Sequence, residues 1–483
     1  MNEMEELMSM CEAVPLPGPQ RLAGARARVT DAATRAGAGA SDAAAGGQAR
    51  AVGSVAGGHR PAGRNGLRTG RSWISPLGHR WRVWAAPLAA GVAVAAVVVG
   101  TQTVFNSVQT RTAVGGHQSP SAVYTGNGTA VGPAGPATAY VVGEIGTVTP
   151  IRAATNRPLK TISDRSGDSL DIVLTPGGKT AYVLNDILGT GPSSVTPIRT
   201  ATNTALKPIT VGIDARSFAM APDGKTLYVA NYYSGTVTPI RTATNTARKP
   251  IKAGSHPQAI AVTPDGKTVY VANYLAGTVT PIQAATGKML KPIRVGGNPE
   301  AIAITPNGKT AYVANGYAVI PIQTATNTAL RPIKVGRGAF GVAITPDGST
   351  AYVLSYCCGL HPKQSPVTLI RTATNTALPP VYVKRAPTRI AISADSATAY
   401  ASDTQAGEVV PISTATGKAR APIVVGKGAI AIAVTPDGRT VYVGIYSVVR
   451  RHFSTVIPIR AATGKVLPSI TVGELPVAIA VTP

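Results

Sequence analysis

Aromatic and charged residues are scarce in this chain of 483 residues, where they make up 5% and 14% of the sequence. Cysteine is scarcer still, and Cys11, Cys357 and Cys358 are too few for the disulfide framework of a small secreted domain. The 52 Gly and 39 Pro residues make turns frequent, which predicts short strands rather than long helices. A chain of this length predicts several domains or a repeat array.

The net charge of +25 is distributed unevenly along the chain. Residues 113–483 hold 34 Lys and Arg against 15 Asp and Glu, so most of the basicity lies in the C-terminal part. A basic surface suits anionic partners such as polymers, phosphates or anionic lipid. The alternative is a charge that only keeps the protein soluble.

One uncharged run stands out in the N-terminal part, from Val83 to Gly100, and its eighteen residues are near the lower limit for a membrane span. Several arginines precede this run, whereas Arg111 is the only Lys or Arg between it and Arg152. The positive-inside rule therefore predicts a cytoplasmic N-terminus and an extracytoplasmic remainder. A cleaved signal peptide is the alternative, although no clear A-x-A site follows the run.

These features divide the chain into four predicted parts. Residues 1–82 are rich in Ala, Gly and Arg and are predicted to be a disordered basic cytoplasmic tail. Residues 83–101 are predicted to be one transmembrane helix, and residues 102–132 a polar linker. The start of the tail looks like that of some actinobacterial single-pass membrane proteins. Residues 133–483 are then expected to be an extracellular domain anchored to the cell membrane.

The chain repeats itself from residue 133 onward with a period of about 40 residues. A Tyr in the context [TK]-x-Y-[VA] recurs at spacings of 42, 46, 42, 42, 40, 48 and 42 residues. The eight positions are Tyr140, Tyr182, Tyr228, Tyr270, Tyr312, Tyr352, Tyr400 and Tyr442. Each unit contains four short runs of strand type, such as QAIAVTP, KTVYVAN, GTVTPI and LKPIRVG within residues 258–296. Four short strands per repeat predict a propeller blade.

The motif YVAN, with TPDGKT before it and GTVTPI after it, resembles the YVTN family of β-propeller repeats over residues 133–483. The resemblance implies a propeller but no single activity. The array enters with the second strand of a unit, GPATAYVV, and ends with the first strand of a unit, PVAIAVTP. A ring closed by these strands has no free sheet edge. We expect an all-β, eight-bladed β-propeller of four-stranded blades; seven blades are the alternative, if the weak first unit lies outside the ring.

Most polar residues of the motif are predicted to be structural. Asp-Gly between two strands is a strong hairpin signal, because Asp accepts backbone hydrogen bonds and Gly supplies a positive φ. The PDG aspartates are Asp223, Asp265, Asp347 and Asp437. The repeat tyrosines are expected to pack between blades. Three asparagines that end the second strand are expected to cap a turn, namely Asn231, Asn273 and Asn315.

The connection between the second and third strands accounts for the variation in repeat length. Tyr270 lies 12 residues before the Ile that closes its third strand, but the same distance is 16, 18 and 17 residues from Tyr182, Tyr352 and Tyr442. In a propeller this connection shares a face with the connections between blades. Variable loops on a constant scaffold are where binding usually occurs, so we expect a site on this face. Neutral drift in an exposed loop is the alternative.

Basic residues on that face predict an anion-binding sector for carboxylate or phosphate polymers of the cell envelope. They precede first strands or lie in the last insertion: Arg337, Lys384, Arg385, Arg389, Lys427, Arg450, Arg451 and His452. A second basic set flanks the outer hairpin of each unit and could form a basic rim on the opposite face, although a solvated edge is favoured. It follows the third strands at Arg152, Arg199, Arg241, Arg371 and Arg460, and starts the fourth strands at Lys207, Lys249, Lys291 and Arg331.

An enzyme is the alternative to a binding module. Some propellers with similar repeats are lactonases or other hydrolases, whose chemistry needs acids or a metal around the central channel. The candidates for such an acidic or cation site lie in connections between blades: Asp164, Asp168, Asp214, Glu300 and Glu474. No G-x-S-x-G, H-E-x-x-H or Ser/His/Asp arrangement stands out. The spacing of Cys357, Cys358 and His361 matches no standard zinc pattern.

The sequence therefore predicts a single-pass, membrane-anchored extracytoplasmic binding module rather than an enzyme. Its expected partners are an anionic envelope polymer or a protein, and no catalytic residue, metal or cofactor is assigned. Nucleic-acid binding is disfavoured by the predicted location and by the few exposed aromatic residues.

Overall fold

Residues 137–483 are described by the computed structural model, except for 187–190, 357–363, 386, 447–453, 474 and the side chains of 164–166. The described residues form strands and turns and no helix, so the predicted all-β fold class is confirmed. Within this part of the chain, no helix is long and apolar enough to cross a membrane. The predicted tail, transmembrane helix and linker lie outside the described residues, as do Cys357 and Cys358.

The repeats are numbered 1 to 8 after their tyrosines, from Tyr140 to Tyr442, and each comprises an inner, a second, a third and an outer strand. Repeats 1 to 4 hold β1 (Thr138–Gly143), β2 (Ile145–Arg152), β3 (Arg157–Pro158), β4 (Ile162–Leu174), β5 (Thr180–Asp186), β6 (Pro192–Arg199), β7 (Thr204–Ala205), β8 (Ile209–Ile213), β9 (Ala215–Met220), β10 (Thr226–Asn231), β11 (Thr236–Arg241), β12 (Thr246–Ala247), β13 (Ile251–Lys252), β14 (Pro257–Val262), β15 (Thr268–Asn273), β16 (Thr278–Gln283) and β17 (Ile293–Arg294).

Repeats 5 to 8 follow the same plan, and the last strand of the chain returns to repeat 1. They hold β18 (Ala301–Ile304), β19 (Thr310–Ala314), β20 (Ala318–Gln323), β21 (Thr328–Ala329), β22 (Ile333–Lys334), β23 (Ala339–Ile344), β24 (Thr350–Ser355), β25 (Ser365–Arg371), β26 (Thr376–Ala377), β27 (Val381–Val383), β28 (Pro387–Ile392), β29 (Thr398–Asp403), β30 (Glu408–Ser413), β31 (Ile423–Val424), β32 (Ala429–Val434), β33 (Thr440–Ile445), β34 (Thr455–Arg460), β35 (Lys465–Val466), β36 (Ile470–Thr471) and β37 (Pro476–Val481).

Each repeat forms an antiparallel ladder from its inner to its outer strand, as in the order β14-β15-β16-β17 of repeat 4. Repeats 3 to 8 form separate sheets. Repeats 1 and 2 share a nine-stranded sheet, because β4 begins as the outer strand beside β2 and continues as the inner strand beside β5. The second strands are buried on both faces, which explains why TVYVAN is a continuous run of small and apolar residues rather than an alternating pattern.

The two ends of the repeat array meet, as the sequence predicts. β37 pairs antiparallel with β1, so the last strand completes the sheet that the first strand begins. The inner strands of successive repeats contact one another from β4 to β32, and β32 contacts β37. The sheets are therefore arranged in a closed ring with the inner strands at its centre.

The repeat tyrosines are buried between neighbouring sheets, which confirms the predicted packing. Their hydroxyl groups also bridge to the next repeat, which the sequence did not predict. Tyr182 donates to Oδ1 of Asn245 at 2.7 Å, and Tyr442 donates to Asn156 at 2.5 Å, linking repeat 8 to repeat 1. Both asparagines have a positive φ, which Asn tolerates better than most residues. Six of the eight repeat tyrosines make a side-chain bond of this kind to the next repeat.

The PDG segments are turns, as predicted. Oδ1 of Asp265 accepts hydrogen bonds from the backbone N of Lys267 at 3.0 Å and from the hydroxyl of Thr263 at 2.6 Å. Gly266 has a φ of 69°, which a residue with a side chain rarely adopts. Asp265 therefore shapes a turn and is exposed on the surface of the ring.

The asparagines that end the second strands differ from the prediction in one respect. Asn315 caps its turn, because its Oδ1 accepts from the backbone N of Tyr317 and Ala318. Asn273 is buried, and its amide group donates to Thr280 and to the carbonyl of Ala253. It therefore ties the second strand to the third strand and to the connection that follows the outer strand.

The ladder order gives the ring two distinct faces. The turns from inner to second strand and from third to outer strand lie on one side, which we call the turn face. The connections from second to third strand, and those between repeats, lie on the other side, which we call the loop face. The predicted insertions on the loop face fall largely in residues 187–190, 357–363 and 447–453, outside the described residues.

Candidate functional site

A β-bulge at the start of the inner strand presents one extra side chain near the loop face in every repeat except repeat 5. The pairing of β14 with β15 skips Gln258, which is the extra residue. The same shift makes Arg216, Phe340 and Thr388 the extra residues of β9, β23 and β28. Bulges redirect side chains and are frequent next to functional sites.

Three of these bulged residues contact the first residue after the second strand of the same repeat, and the chemistry of the contact differs between them. The guanidinium of Arg216 lies 4.6 Å from the ring centroid of Tyr232, the rings of Phe340 and Tyr356 stack with centroids 4.2 Å apart, and the hydroxyl oxygens of Thr388 and Thr404 are 2.7 Å apart. The same backbone register thus holds a cation–π pair in repeat 3, an aromatic stack in repeat 6 and a polar pair in repeat 7.

Aromatic rings gather on the loop face of repeats 3 to 5, and we call Tyr232, Tyr233, His256, Tyr274 and Tyr317 the aromatic sector. The ring centroid of Tyr232 lies 4.6 Å from that of His256, 5.3 Å from that of Tyr233 and 6.4 Å from that of Tyr274. Tyr233 and Tyr317 are 59% and 74% exposed. The sector offers aromatic surface to solvent in a protein with few aromatic residues.

The Asp214–Arg216 ion pair contacts the aromatic sector through Tyr232. Arg216 donates to both carboxylate oxygens of Asp214, from Nε at 2.6 Å and from Nη2 at 2.8 Å. Asp214 is buried, has a φ of 55°, and its carbonyl accepts from the backbone N of Tyr232 at 2.8 Å. A non-glycine residue in this conformation is strained, and such strain is concentrated at functional sites. Burial raises the pKa of Tyr232 to about 12, so its hydroxyl remains a donor at neutral pH.

Glu300 lies at the start of the inner strand of repeat 5, one residue before β18, and its backbone N donates to the carbonyl of Ala314. Burial raises the pKa of its carboxyl group to about 7. The negative charge of Glu300 in turn raises the pKa of Tyr274 and Tyr356, after the larger effect of their own burial. The group therefore lies between the aromatic sector and the stacked pair of repeat 6.

Arg389 differs from its predicted position. It does not precede the inner strand of repeat 7 but is the third residue of β28, and it is only 8% exposed. Nε donates to the carbonyl of Ile430 at 3.2 Å and Nη2 to the carbonyl of Val477 at 3.3 Å, so the side chain joins repeat 7 to repeats 8 and 1. Burial lowers the pKa of Arg389, and the charge of Asp171 in repeat 2 opposes this effect. Arg389 therefore links inner strands within the ring and is not exposed on its surface.

The third inner-strand position is otherwise small in most repeats. Its residues in repeats 1 and 3 to 6, and in repeat 8, are Ala478, Ser217, Ala259, Ala301, Gly341 and Ala431. Asp171 occupies this position in repeat 2. This position therefore holds a small residue in six repeats, Arg389 in repeat 7 and Asp171 in repeat 2.

The exposed charge of the loop face is positive among the described residues. The other predicted basic residues that the structure describes, Arg337, Lys384, Arg385 and Lys427, are exposed in the connections leading into repeats 6, 7 and 8, and we call them the basic sector. Lys384 pairs with Glu408 at 2.6 Å, and the backbone N of Arg385 donates to Asp403. Arg450, Arg451 and His452 lie outside the described residues.

The predicted acidic residues do not form a cation site within the described residues. Asp214 is neutralised by Arg216, Asp168 pairs through its backbone with Ile145, and Glu300 lies in a different repeat from both. No group of three or more His, Cys, Asp or Glu side chains that could hold a metal ion occurs in the described part of the chain. The side chain of Asp164 and all of Glu474 lie outside it.

The sequence analysis missed the aromatic sector, although a signal was present. Eight of the sixteen tyrosines belong to the repeat motif, so the other eight are the informative ones. Six of these follow a second strand within three residues of its end: Tyr232, Tyr233, Tyr274, Tyr317, Tyr356 and Tyr446. This concentration shows that the non-repeat tyrosines lie mainly on the loop face.

Comparison with known proteins supports the fold. Residues 217–319 match the family model of YNCE-like β-propellers. The chain is a β-propeller. The resemblance to β-propeller repeats that the motifs carry is thereby confirmed. A comparison with curated protein sequences finds no match.

Solved structures of other propellers are similar in fold. Dihydro-heme d1 dehydrogenase NirN, solved in complex with DHE, superposes with a TM-score of 0.60 at 15% identity, covering 73% of this chain and 77% of that chain. Hydrazine synthase of Kuenenia stuttgartiensis has a TM-score of 0.49 at 19% identity, with coverage of 65% and 97%. A functionally unknown protein of Desulfotomaculum acetoxidans has a TM-score of 0.47 at 18% identity, with coverage of 60% and 97%. At 15% identity, the superposition on NirN shows a shared fold alone.

Proposed function

We propose that this protein is a binding module that recognises its ligand on the loop face of the ring. The observation that carries the proposal is the concentration of non-repeat tyrosines at one register of that face. The turns, the repeat tyrosines and the strand register are nearly constant, whereas the side chains of this register and of the adjacent bulge vary between repeats. Exposed aromatic side chains beside a few fixed polar groups are typical of ligand sites.

We further propose that the ring has eight blades, one for each repeat tyrosine. The support is the order of contacts among the inner strands. Although repeats 1 and 2 share one nine-stranded sheet, each has its own inner strand, β37 in repeat 1 and β4 in repeat 2. The pairing of β37 with β1 supplies an inner strand to repeat 1, so the weak first unit is included in the ring.

The proposed ligand is an anionic polymer of the cell envelope, with a protein partner carrying similar groups as the other possibility. The basic sector supplies exposed cations on repeats 6 to 8, and none of the described acids of the loop face is exposed. The aromatic sector on repeats 3 to 5 supplies surface for the rings or apolar faces of the same ligand. A chain-like ligand is favoured because the two sectors lie on different repeats.

The location is proposed from the sequence. The uncharged run at residues 83–100 and the arginines before it support a single-pass anchor with the N-terminus in the cytoplasm and the propeller outside. Protease treatment of intact cells should then remove the propeller and leave the tail. Digestion of the tail alone would contradict this orientation.

Titration with two soluble probes tests the binding proposal, using polygalacturonate for carboxylates and polyphosphate for phosphates. The Tyr233→Ala/Tyr317→Ala double variant should weaken binding by about tenfold or more, because it removes the exposed aromatic surface. Tyr382→Ala is the matched control, since Tyr382 is 56% exposed on the outer strand of repeat 6. Equal affinity of the two variants for both probes, or no binding by the native protein at low salt, would contradict the proposal.

A hydrolase with an acid near the central channel is the alternative, and Glu300 favours it. A carboxyl group with a pKa of about 7 can donate or accept a proton near neutral pH. If this alternative holds, the protein should hydrolyse simple lactones or esters, and Glu300→Gln should abolish turnover without weakening polymer binding. Absence of turnover in the native protein at pH 6 to 8 leaves the binding module as the function.

A further inference from the structure

The charges of the described residues are segregated between the two faces. The turn face carries sixteen exposed cations in three sets, which are the residue after the PDG-type turn, the last residue of the third strand, and residues at or beside the turn into the outer strand: Lys179, Lys225, Lys267, Lys309, Arg439; Arg152, Arg199, Arg241, Arg371, Arg460; Arg157, Arg248, Lys288, Lys418, Arg420, Lys465. The same face carries five exposed acids, all in turns: Asp223, Asp265, Asp347, Asp395 and Asp437.

The turn aspartates offset only part of this charge. Lys225, Lys267 and Arg439 lie 3.6 to 3.9 Å from the aspartate two residues before them, in exposed pairs that are weak and screened by salt. The arginines that end the third strands have no carboxylate partner among the described residues. The turn face is therefore a strongly basic surface. Toward the loop face, the exposed cations among the described residues are fewer: the four of the basic sector, and Lys252, Arg294 and Lys334, which end outer strands beside the first residue of the third strand.

The third strands of five repeats end in an arginine at one common register, whereas those of repeats 4, 5 and 7 end in Gln283, Gln323 and Ser413. Arg152, Arg199, Arg241, Arg371 and Arg460 each pair in register with the first residue of the adjacent second strand. This register fixes them at the same height, at the edge where the strands meet the turn face. Cations held at one height on one face can together approach a broad, flat anionic surface.

The chain enters the ring on this face. Thr138 is the first residue of β1 and lies opposite Arg152, so residues 1–136 are joined to the propeller on the turn face. Among the described residues, the exposed aromatic side chains are Tyr233 and Tyr317 on the loop face and Tyr382 on an outer strand. The turn face thus lacks the exposed rings on which single-stranded nucleic acid stacks, which favours a lipid surface over nucleic acid.

We propose that the turn face docks on a bilayer containing anionic phospholipid. Docking of this kind presents the loop face away from the bilayer, free to bind its ligand. The attraction is electrostatic and acts over roughly 8 Å at physiological ionic strength, so it requires the arginines and lysines to approach the lipid phosphates closely. The proposal concerns the opposite face from the ligand site and does not depend on which ligand that site binds.

Lysine labelling of the full chain on vesicles tests this proposal. The protein is added to vesicles of phosphatidylcholine, with or without phosphatidylglycerol, and treated with an amine-reactive reagent before mass spectrometry. With phosphatidylglycerol at low salt, labelling of Lys179, Lys225, Lys267 and Lys309 should slow by about fivefold or more and recover at high salt. Lys252, Lys334 and Lys427 are the internal reference and should be labelled at an unchanged rate. Equal labelling of both groups, or protection of the reference group, would overturn the proposal.

Charge reversal gives a second, independent readout. Changing Arg152, Arg199, Arg241, Arg371 and Arg460 to Glu together should abolish the protection by phosphatidylglycerol. The control changes five exposed cations of the outer edge to Glu and should retain it: Lys160, Lys207, Lys249, Lys291 and Arg331. Protection of the turn-face lysines by duplex DNA or polyphosphate, but not by phosphatidylglycerol vesicles, would replace the lipid surface with another polyanion and overturn the proposal. Loss of polygalacturonate binding in the turn-face variant would instead contradict the loop-face site.

Discussion

The turn face and the loop face are built by the same repeat, yet they differ in what the repeat keeps constant. On the turn face the PDG turns, the Tyr–Asn bridges and the arginines recur with little change. On the loop face the backbone register recurs, but the paired side chains change from Arg216 with Tyr232 to Phe340 with Tyr356. Residues that are the same in most repeats thus form the scaffold, and residues that differ between repeats at one register form the candidate site.

Substitution of a scaffold tyrosine should have the largest effect on stability. Tyr270 is 1% exposed and packs in the core between repeats 4 and 5, so Tyr270→Ala should lower the free energy of unfolding by about 3 to 5 kcal/mol. Tyr233→Ala on the loop face should change it by less than about 0.5 kcal/mol. Urea denaturation of both variants measures the difference. Similar losses in both would remove the distinction between scaffold and site tyrosines.

The next effect is on the pH dependence of stability. The pKa of Glu300 is about 7 in the folded protein against an ordinary value of 4.5, because burial disfavours the charged form. The folded state therefore holds this proton more tightly than the unfolded chain, and the free energy of unfolding should fall as pH rises through this interval and level off above it. Glu300→Gln should remove this part of the dependence. Parallel stability curves for the native protein and the variant would show that Glu300 does not titrate as a buried group.

The scaffold could be predicted from the sequence because its signals are local and repeated. The DG turn at Asp265 and Gly266 depends on two adjacent residues, and the burial of Tyr270 follows from a strand pattern that recurs eight times. The closing strand could also be predicted, because GPATAYVV and PVAIAVTP are complementary parts of one unit. These features need no knowledge of three-dimensional position.

The candidate site could be predicted only in part, because it depends on register and on contacts between repeats. A β-bulge adds one residue to the inner strand, and nothing in the local sequence marks it, so the Arg389 side chain was expected at the surface rather than within β28. The Asp214–Arg216 pair forms because Asp214 adopts a positive φ, which the sequence does not specify. The tyrosines after the second strands were the one visible sign, and they become visible once the repeat tyrosines are set aside.

Tyrosine labelling in the presence of a polyanion tests the central claim most directly. The native protein is labelled with a tyrosine-selective reagent, with and without polygalacturonate or polyphosphate, and the rates at Tyr233, Tyr317 and Tyr382 are compared. All three side chains are more than half exposed, so each should react in the free protein. The account predicts that one of the two polymers protects Tyr233 and Tyr317 and leaves Tyr382 unchanged. Protection of Tyr382 alone, or equal rates at all three with either polymer at low salt, would contradict it.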